Sequence, residues 1–378
     1  MIADDEMRLL RKIGHPEVGL GLGLANGGRA RGLSSTVRIG LFADSRGVGR
    51  GAGTGTNNMV GARPLSYLAK AKTYLAMAGY SASDDSWFGN AANTGGTLPS
   101  YDPRIVLGSY VESTVGGVLG GFGLSATAGT NLTFTPTGQF DTYRVYHPED
   151  PTINSLMPVY VDVPASAVDI NENGSVPILR INDYTTNLAN HYVGVGRRTS
   201  PGGTVYLHGM ECFNSAANEF RLLNFSARGW ATSDFSTSDK PWRPLLAIDT
   251  VKVDVGIVAL GGNDTINGVS LATYKMNMGT IIERIKAAKS GARVLLYLDP
   301  PINPSQEVGF TQAQMRTANY ELASEHSCDI LDSWTATGTW SEMVAAGETV
   351  DATHLTAAPY ARMGNQLASK LRQIAGVP

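Results

Sequence analysis

Val37-Arg-Ile-Gly-Leu-Phe-Ala43 is an apolar run that ends on Asp44-Ser45 and then opens into a glycine-rich loop, Gly47-Val-Gly-Arg-Gly-Ala-Gly-Thr-Gly55. A short apolar run bounded by turn residues reads as a buried strand. The loop after it leads to a helix predicted from Pro64 to Ala78, with proline in the first turn and Gly79 at the stop. The same grammar returns after residue 216. Apolar runs at 220–224, 253–260, 293–298 and 329–331 read as strands. Between them Leu271, Tyr274, Met278, Ile281 and Ile285 recur at three- and four-residue steps, and Tyr360, Met363, Leu367, Leu371 and Ile374 do so in a last helix beginning near Thr356. Strand alternating with helix implies parallel strands joined by crossovers, an α/β fold.

Residues 101–215 are different. Ile105-Val-Leu, Asn131-Leu-Thr-Phe-Thr, Thr142-Tyr-Arg-Val-Tyr, Val159-Tyr-Val-Asp-Val, Val176 to Ile181, Tyr192-Val-Gly-Val and Thr204-Val-Tyr-Leu are short β-favouring runs with turn signals at Asn173-Gly174 and Pro201-Gly-Gly203. Short strands, frequent turns and no helical period read as a β-sandwich. The expected organisation is a lead-in segment at 1–35, a first α/β part at 36–100, an inserted β-sandwich at 101–215 and a second α/β part at 216–378. The run Gly19-Leu-Gly-Leu-Gly-Leu-Ala-Asn-Gly-Gly lies before a strand rather than after one, so it reads as a flexible lead-in in preference to a dinucleotide loop.

Composition removes several function classes. A chain that is 42% hydrophobic and 17% charged can bury a core. No window of about 18 apolar residues is present, so no membrane span is expected. Residues 1–12 mix acids and bases and lack the apolar core of a signal peptide. The net charge is −3 without a Lys/Arg cluster, so no nucleic-acid partner is expected. Cys212 and Cys328 read as two separate buried thiols rather than a disulfide framework or a metal site.

In an open α/β sheet, ligands sit beyond the carboxyl ends of the strands. Ser45 follows the first strand. Gly229 follows the 220–224 run in Asn224-Phe-Ser-Ala-Arg-Gly229-Trp-Ala-Thr232, and Asn263 follows the next strand in Gly261-Gly-Asn-Asp264. Asp351 and His354 stand in Asp351-Ala-Thr-His-Leu-Thr356, just before the last helix.

This set, in this order, resembles the SGNH (GDSL-like) hydrolases, named for a Ser, Gly, Asn and His in successive blocks. Ala43-Asp44-Ser45 stands where that family usually has Gly-Asp-Ser. Asn93-Thr-Gly95-Gly-Thr97 is a rival to Gly229 for the second block, and both remain open on sequence. The resemblance covers about 36–96 and 216–378 and implies a three-layer, flavodoxin-like parallel sheet, with the β-sandwich as an insertion. It implies Ser45 as nucleophile and Asp351 and His354 as its partners. It also implies an oxyanion hole from the backbone N–H groups of Ser45 and Gly229 and the side-chain amide of Asn263. No cofactor or metal is needed. The chemistry agrees: a serine hydroxyl needs a base, histidine can take and return its proton, and a carboxylate fixes the ring's tautomer. Glycine at 229 lets the backbone approach an oxyanion without a β-carbon in the way.

Other residues invite rival readings. Gly268-Val-Ser270-Leu-Ala272 faintly resembles a nucleophile elbow, but Ser270 reads better as the cap of the following helix. His208-Gly-Met-Glu-Cys212 has too few ligands for a structural zinc site. Arg46 reads as a solvated loop residue, with contact to a substrate as the alternative, and Asp264 as an organiser of its loop. The insertion resembles carbohydrate-binding modules spliced into SGNH esterases, including tail-associated enzymes of bacteriophages. The expected substrate is therefore an acetylated carbohydrate. A lipid esterase and a non-catalytic glycan-binding virion protein are the alternatives. Oligomeric state and compartment, whether virion, secreted without a classical signal or other, are not legible.

Overall fold

The Val37–Ala43 run is a strand because every residue from Ile39 onward is buried, which leaves its backbone groups no partner but neighbouring strands. The computed structural model describes residues 33–55, 58–90, 98–200 and 202–378. Among them, six strands form the central sheet: β1 (Val37–Ala43), β2 (Ala82–Ser83), β3 (Phe220–Asn224), β4 (Val255–Ala259), β5 (Arg293–Leu298) and β6 (Asp329–Asp332). Their order is β6-β5-β4-β1-β3-β2, and every pairing is parallel. Ile39 lies opposite both Leu222 of β3 and Val255 of β4. The chain first builds β2 and β3 to one side of β1 and then β4 to β6 to the other, so β1 stands at the switch point where α/β sheets open a crevice.

Alternation along the strands separates two helical layers. Ile39, Leu41 and Ala43 join a cluster with Tyr67, Leu68, Ala71 and Leu75 of α1 (Tyr67–Met77) and with Tyr360, Met363, Leu367 and Leu371 of the C-terminal helix (Ala357–Ile374). Phe42, Leu223 and Val258 point the other way. There they meet Ile248 of α2 (Pro244–Val251), Tyr274, Met278 and Ile281 of α3 (Leu271–Ala288) and Met315 and Leu322 of α4 (Gln312–Glu325). The C-terminal helix is α5. The expected start of α1 at Pro64 is corrected to Tyr67. Ser66 is the cap, its Oγ accepting the Ala69 N–H at 3.4 Å, while Pro64 sits in a 3-10 turn at Arg63–Leu65.

The remaining strands pair antiparallel in three sheets. One has five strands, in the order Val168–Asn171, Leu156–Val161, Val193–Val195, Leu132–Phe134 and Ile105–Val106. A second has Ile178–Ala189, Phe140–Glu149, Gly209–Phe213 and Ser86–Phe88. The third has Val205–Leu207, Gly121–Ala126 and Val111–Val118. These strands therefore begin at Ser86, ahead of residue 101. The sheets share a buried cluster that includes Leu132, Phe134, Val145, Val159 and Leu207, and that cluster also takes in Val48, Met59 and Ala62 from the loop after Ser45. Tyr143, Tyr146 and Tyr160 are buried, so none of them offers a face to a ligand; Tyr206 is half-buried. Both cysteines are free, and the expectation of two buried thiols holds for Cys212 but is corrected for Cys328, which is only part-buried. The lead-in residues 1–32 and Gly95 lie outside the described residues.

Candidate active site

Three loops converge beyond the carboxyl ends of β1, β3 and β4. After β1 the chain turns at once into a one-turn helix, Ser45–Val48. Asp44 caps it, its carboxylate accepting the Arg46 N–H at 2.9 Å. Ser45 is thus the first residue of that turn, where a backbone N–H has no acceptor within the helix. The glycine-rich stretch that follows lets the chain pass close to the histidine segment. Gly51 has φ +99°, and a β-carbon there would come within 2.3 Å of Leu355 O. The histidine segment is itself a closed loop, pinned by the Thr349–Leu355 bridge and the Val350 N–H to His354 O bond of 3.0 Å.

At the tip of that loop Asp351 turns back on its own backbone. Its Oδ1 accepts the N–H groups of Thr353 and His354, both at 2.8 Å. The same carboxylate meets His354 Nδ1 at 2.8 Å through Oδ2, and His354 Nε2 lies 2.8 Å from Ser45 Oγ. Thr353 Oγ1 is also 2.8 Å from Nδ1. Ser45 and His354 are buried, while the Asp351 side chain is 42% exposed.

Electrostatics set the resting state. Burial is the largest influence on His354 and lowers its pKa. The Asp351 hydrogen bond opposes burial, and the nearby charges of Arg50 and Arg46 add to it, so the imidazole sits below its usual range. Burial works against the Asp351 carboxylate too, but His354 and the two backbone N–H groups outweigh it and hold this carboxyl below the usual range. The partners do not gain equally. His354 is the larger of the influences that keep Asp351 ionised, and the two backbone N–H groups add to it. His354 rests neutral, the form a base requires.

The second block enters alongside β1. Phe225 N–H donates to Leu41 O at 2.8 Å and Ala227 N–H to Ala43 O at 2.9 Å, and the chain then turns at Gly229 with φ +78°. Asn224 ties this block to the nucleophile turn, its Nδ2 donating to Gly47 O at 3.1 Å. Asn263 sits on the short helix Gly262–Ile266 after β4. Its Nδ2 donates to Trp230 O at 2.8 Å and lies 3.5 Å from Asp44 Oδ2. Asp264 accepts the Thr232 N–H at 3.0 Å and the Thr232 hydroxyl, so it organises the loop as expected. Ser270 caps α3, its Oγ accepting the Thr273 N–H at 3.1 Å.

One sequence expectation is overturned. Arg46 is not solvated: it is 4% exposed, and its guanidinium donates to the carbonyl oxygens of Thr353 and Pro300. Those acceptors are backbone atoms far away in sequence, so no residue pattern announces them. Asp299 was missed for a similar reason. It is part-buried beyond β5 with its Oδ1 away from solvent, and burial together with the Asp44 charge pushes its carboxyl well above the usual range.

Residues 192–362 match the model of the GDSL-like lipase/acylhydrolase family. That span holds Gly229, Asn263, Asp351 and His354, and the pairing of β1 with β3 and β4 brings Ser45 to it from outside. No curated protein matches the sequence. Among solved structures, one described as a peptidoglycan O-acetylesterase in action matches with a TM-score of 0.68 at 15% identity, covering 92% of this chain and 93% of its own. The likeness therefore takes in the antiparallel sheets as well as the central one. A family two carbohydrate esterase from Clostridium thermocellum, in complex with cellohexaose, matches with a TM-score of 0.34 at 13% identity over 72% of this chain and 99% of its own. With the parallel sheet, the strand-end blocks and the match of residues 192–362 in agreement, the chain has the SGNH hydrolase fold.

Proposed function

We propose that this protein is an SGNH esterase that removes O-acetyl groups from a carbohydrate through an acyl-serine intermediate. One observation carries the proposal: the unbroken line from Ser45 Oγ to His354 Nε2, and from His354 Nδ1 to Asp351, each contact at 2.8 Å. In this reading Ser45 Oγ attacks the acetyl carbonyl carbon while His354 Nε2 takes its proton. The tetrahedral oxygen is met by the Ser45 and Gly229 N–H groups and by Asn263 Nδ2, whose amide keeps one N–H on Trp230 O and turns the other from its long contact with Asp44 to the oxyanion. His354 then gives the proton to the departing sugar oxygen as the ester C–O bond breaks. Water, activated by the same ring, releases acetate and restores Ser45.

The carbohydrate substrate draws its support from the O-acetylesterase whose structure this chain resembles over 92% of its length, and from the antiparallel sheets flanking the site. A fluorophosphonate probe should label Ser45 and no other serine. Acetate release should be measured from acetylated polysaccharides, beside chain-length preference on model esters. Acetate release together with Ser45 labelling supports the proposal. A preference for long acyl chains would reassign the enzyme to lipids, and failure of both labelling and hydrolysis would leave a non-catalytic core.

A further inference from the structure

The residue after the candidate nucleophile carries a long cationic side chain that never reaches solvent. Arg46 Nε and Nη2 donate to Thr353 O at 2.9 and 2.7 Å. Nη1 donates to Pro300 O, and Nη2 lies 3.4 Å from Pro301 O. One fork thus fastens two distant segments to the turn that bears Ser45: the loop beyond β5, and the residue immediately before His354. A buried guanidinium requires compensating interactions, and beside these carbonyl oxygens the carboxyl group of buried Asp44 interacts with it electrostatically.

We propose that Arg46 is a positioning residue: by clasping Thr353 O it sets His354 Nε2 against Ser45 Oγ, and by clasping Pro300 O it locks that alignment to the sheet. The inference rests on the reading of Ser45 and His354 as the nucleophile and its base. Arginine suits the task because its planar fork serves several carbonyls in fixed directions, whereas an ammonium is a point charge on a flexible stem. A misplacement of about 1 Å in reacting groups can lower a rate about 100-fold. The Arg46 charge also bears on His354, lowering the pKa of the ring alongside burial and Arg50.

Arg46→Met and Arg46→Lys, each in the full chain, test the assignment. Turnover of p-nitrophenyl acetate is expressed per active site counted by a fluorophosphonate burst, so that unfolded protein does not enter. Arg46→Met should lower kcat about 100-fold with KM little changed, and should raise the pKa of the acid limb of kcat/KM, because a positive neighbour of His354 has gone. Arg46→Lys should keep the limb near its wild-type position but remain slow, since charge returns without the fork. A purely structural role would reduce the number of active sites and leave both the limb and the kcat per site unmoved; that result overturns the proposal. If Arg46→Met does not fold, wild-type kcat per site in Arg46→Lys overturns it equally. If the wild type hydrolyses no ester, the functional reading fails on its own. The Ser45–His354 hydrogen bond, read from the Nε2 chemical shift by NMR, then decides the role of Arg46: an unchanged shift in both Arg46→Met and Arg46→Lys sinks it, and loss of the bond in both upholds the clasp.

Discussion

His354, at the edge of the central sheet, and His208, among the antiparallel strands, are buried histidines held in opposite ways. In the parallel part, His354 has a partner on each ring nitrogen, Ser45 on one side and Asp351 on the other. In the antiparallel part, His208 follows the Val205–Leu207 strand with neither nitrogen hydrogen-bonded; burial and neighbouring His147 push its pKa down to about 3. Both rings are neutral, but only one is placed to exchange a proton with a hydroxyl. Topology accounts for the difference. Parallel strands all end at one edge, so polar residues just past β1, β3 and β4 are delivered to a common crevice. Antiparallel strands end alternately at both edges, and their buried polar groups, such as Glu172 and Glu211, end up paired inside the fold.

The largest expected effects test whether chemistry is confined to the parallel edge. Ser45→Ala and His354→Ala should each lower kcat by about 10⁴-fold or more, and Asp351→Asn by less, in line with other triads. Asn263→Ala should lower kcat by about 10²–10³-fold as one oxyanion donor is lost. Steady-state hydrolysis of a small acetyl ester measures all four. A comparable loss in His208→Phe, with its folding verified by circular dichroism, would break the contrast, because that ring has no hydrogen-bond partner to lose.

How much of this was open to reading in the sequence follows the same division. The central strands and the face of α5 announce themselves through apolar runs and three- and four-residue spacing, and the candidate groups through their place at strand ends. Ser45, Asp351 and His354 are brought together as the motifs imply. Several antiparallel strands were not readable. Val111–Val118 and Gly121–Ala126 are rich in glycine, which weakens a strand signal, and Ser86–Phe88 is three residues long, too short to show alternation. Arg46 was misread because its acceptors are carbonyl oxygens, and every residue has one. Thr353 Oγ1 was visible only as a letter between Asp351 and His354.

The next test asks whether the two parts share one core. Leu207 is fully buried in the cluster that also holds Val48 and Met59 of the nucleophile loop. Leu207→Ala should destabilise the protein by about 2–5 kcal/mol, the range for a buried leucine truncated to alanine. Because the cluster spans both parts, calorimetry should show one unfolding transition, with ester hydrolysis lost across it. Two resolved transitions, with hydrolysis surviving the first, would separate the antiparallel sheets from the site.

A pH dependence sharpens the contrast in buried charge. Glu172 accepts the Ser155 hydroxyl at 2.7 Å and the Tyr206 N–H at 3.1 Å, and His147 Nδ1 lies 4.0 Å from its carboxyl group. Burial outweighs these donors and pushes its pKa from 4.5 up to about 8. The folded state therefore holds a proton that the unfolded chain has released, and stability should fall as pH rises from about 4.5 through about 8. His147, kept neutral mainly by burial, adds the opposite slope below its ordinary value of 6.5. Urea midpoints should thus decline above pH 6.5 in the wild type and hold level in Glu172→Gln. Parallel curves for the two proteins would mean that Glu172 is not held as the acid.

The smallest effect belongs to the serine that competes with Ser45 on sequence alone. Ser270 stands in Gly268-Val-Ser270-Leu-Ala272, and its Oγ accepts the Thr273 N–H and meets the Thr273 hydroxyl at 2.8 Å. That geometry spends the hydroxyl on the first turn of α3, with no histidine in contact. Ser270→Ala should therefore leave fluorophosphonate labelling and acetyl-ester turnover at wild-type levels while destabilising the fold by about 1 kcal/mol, the usual loss for an N-cap. Denaturant titration and a labelling gel on the same samples make the comparison. If turnover fell with stability unchanged, Ser270 would be reacting rather than capping, and the confinement of chemistry to the strand ends of the parallel sheet would fail at its weakest point.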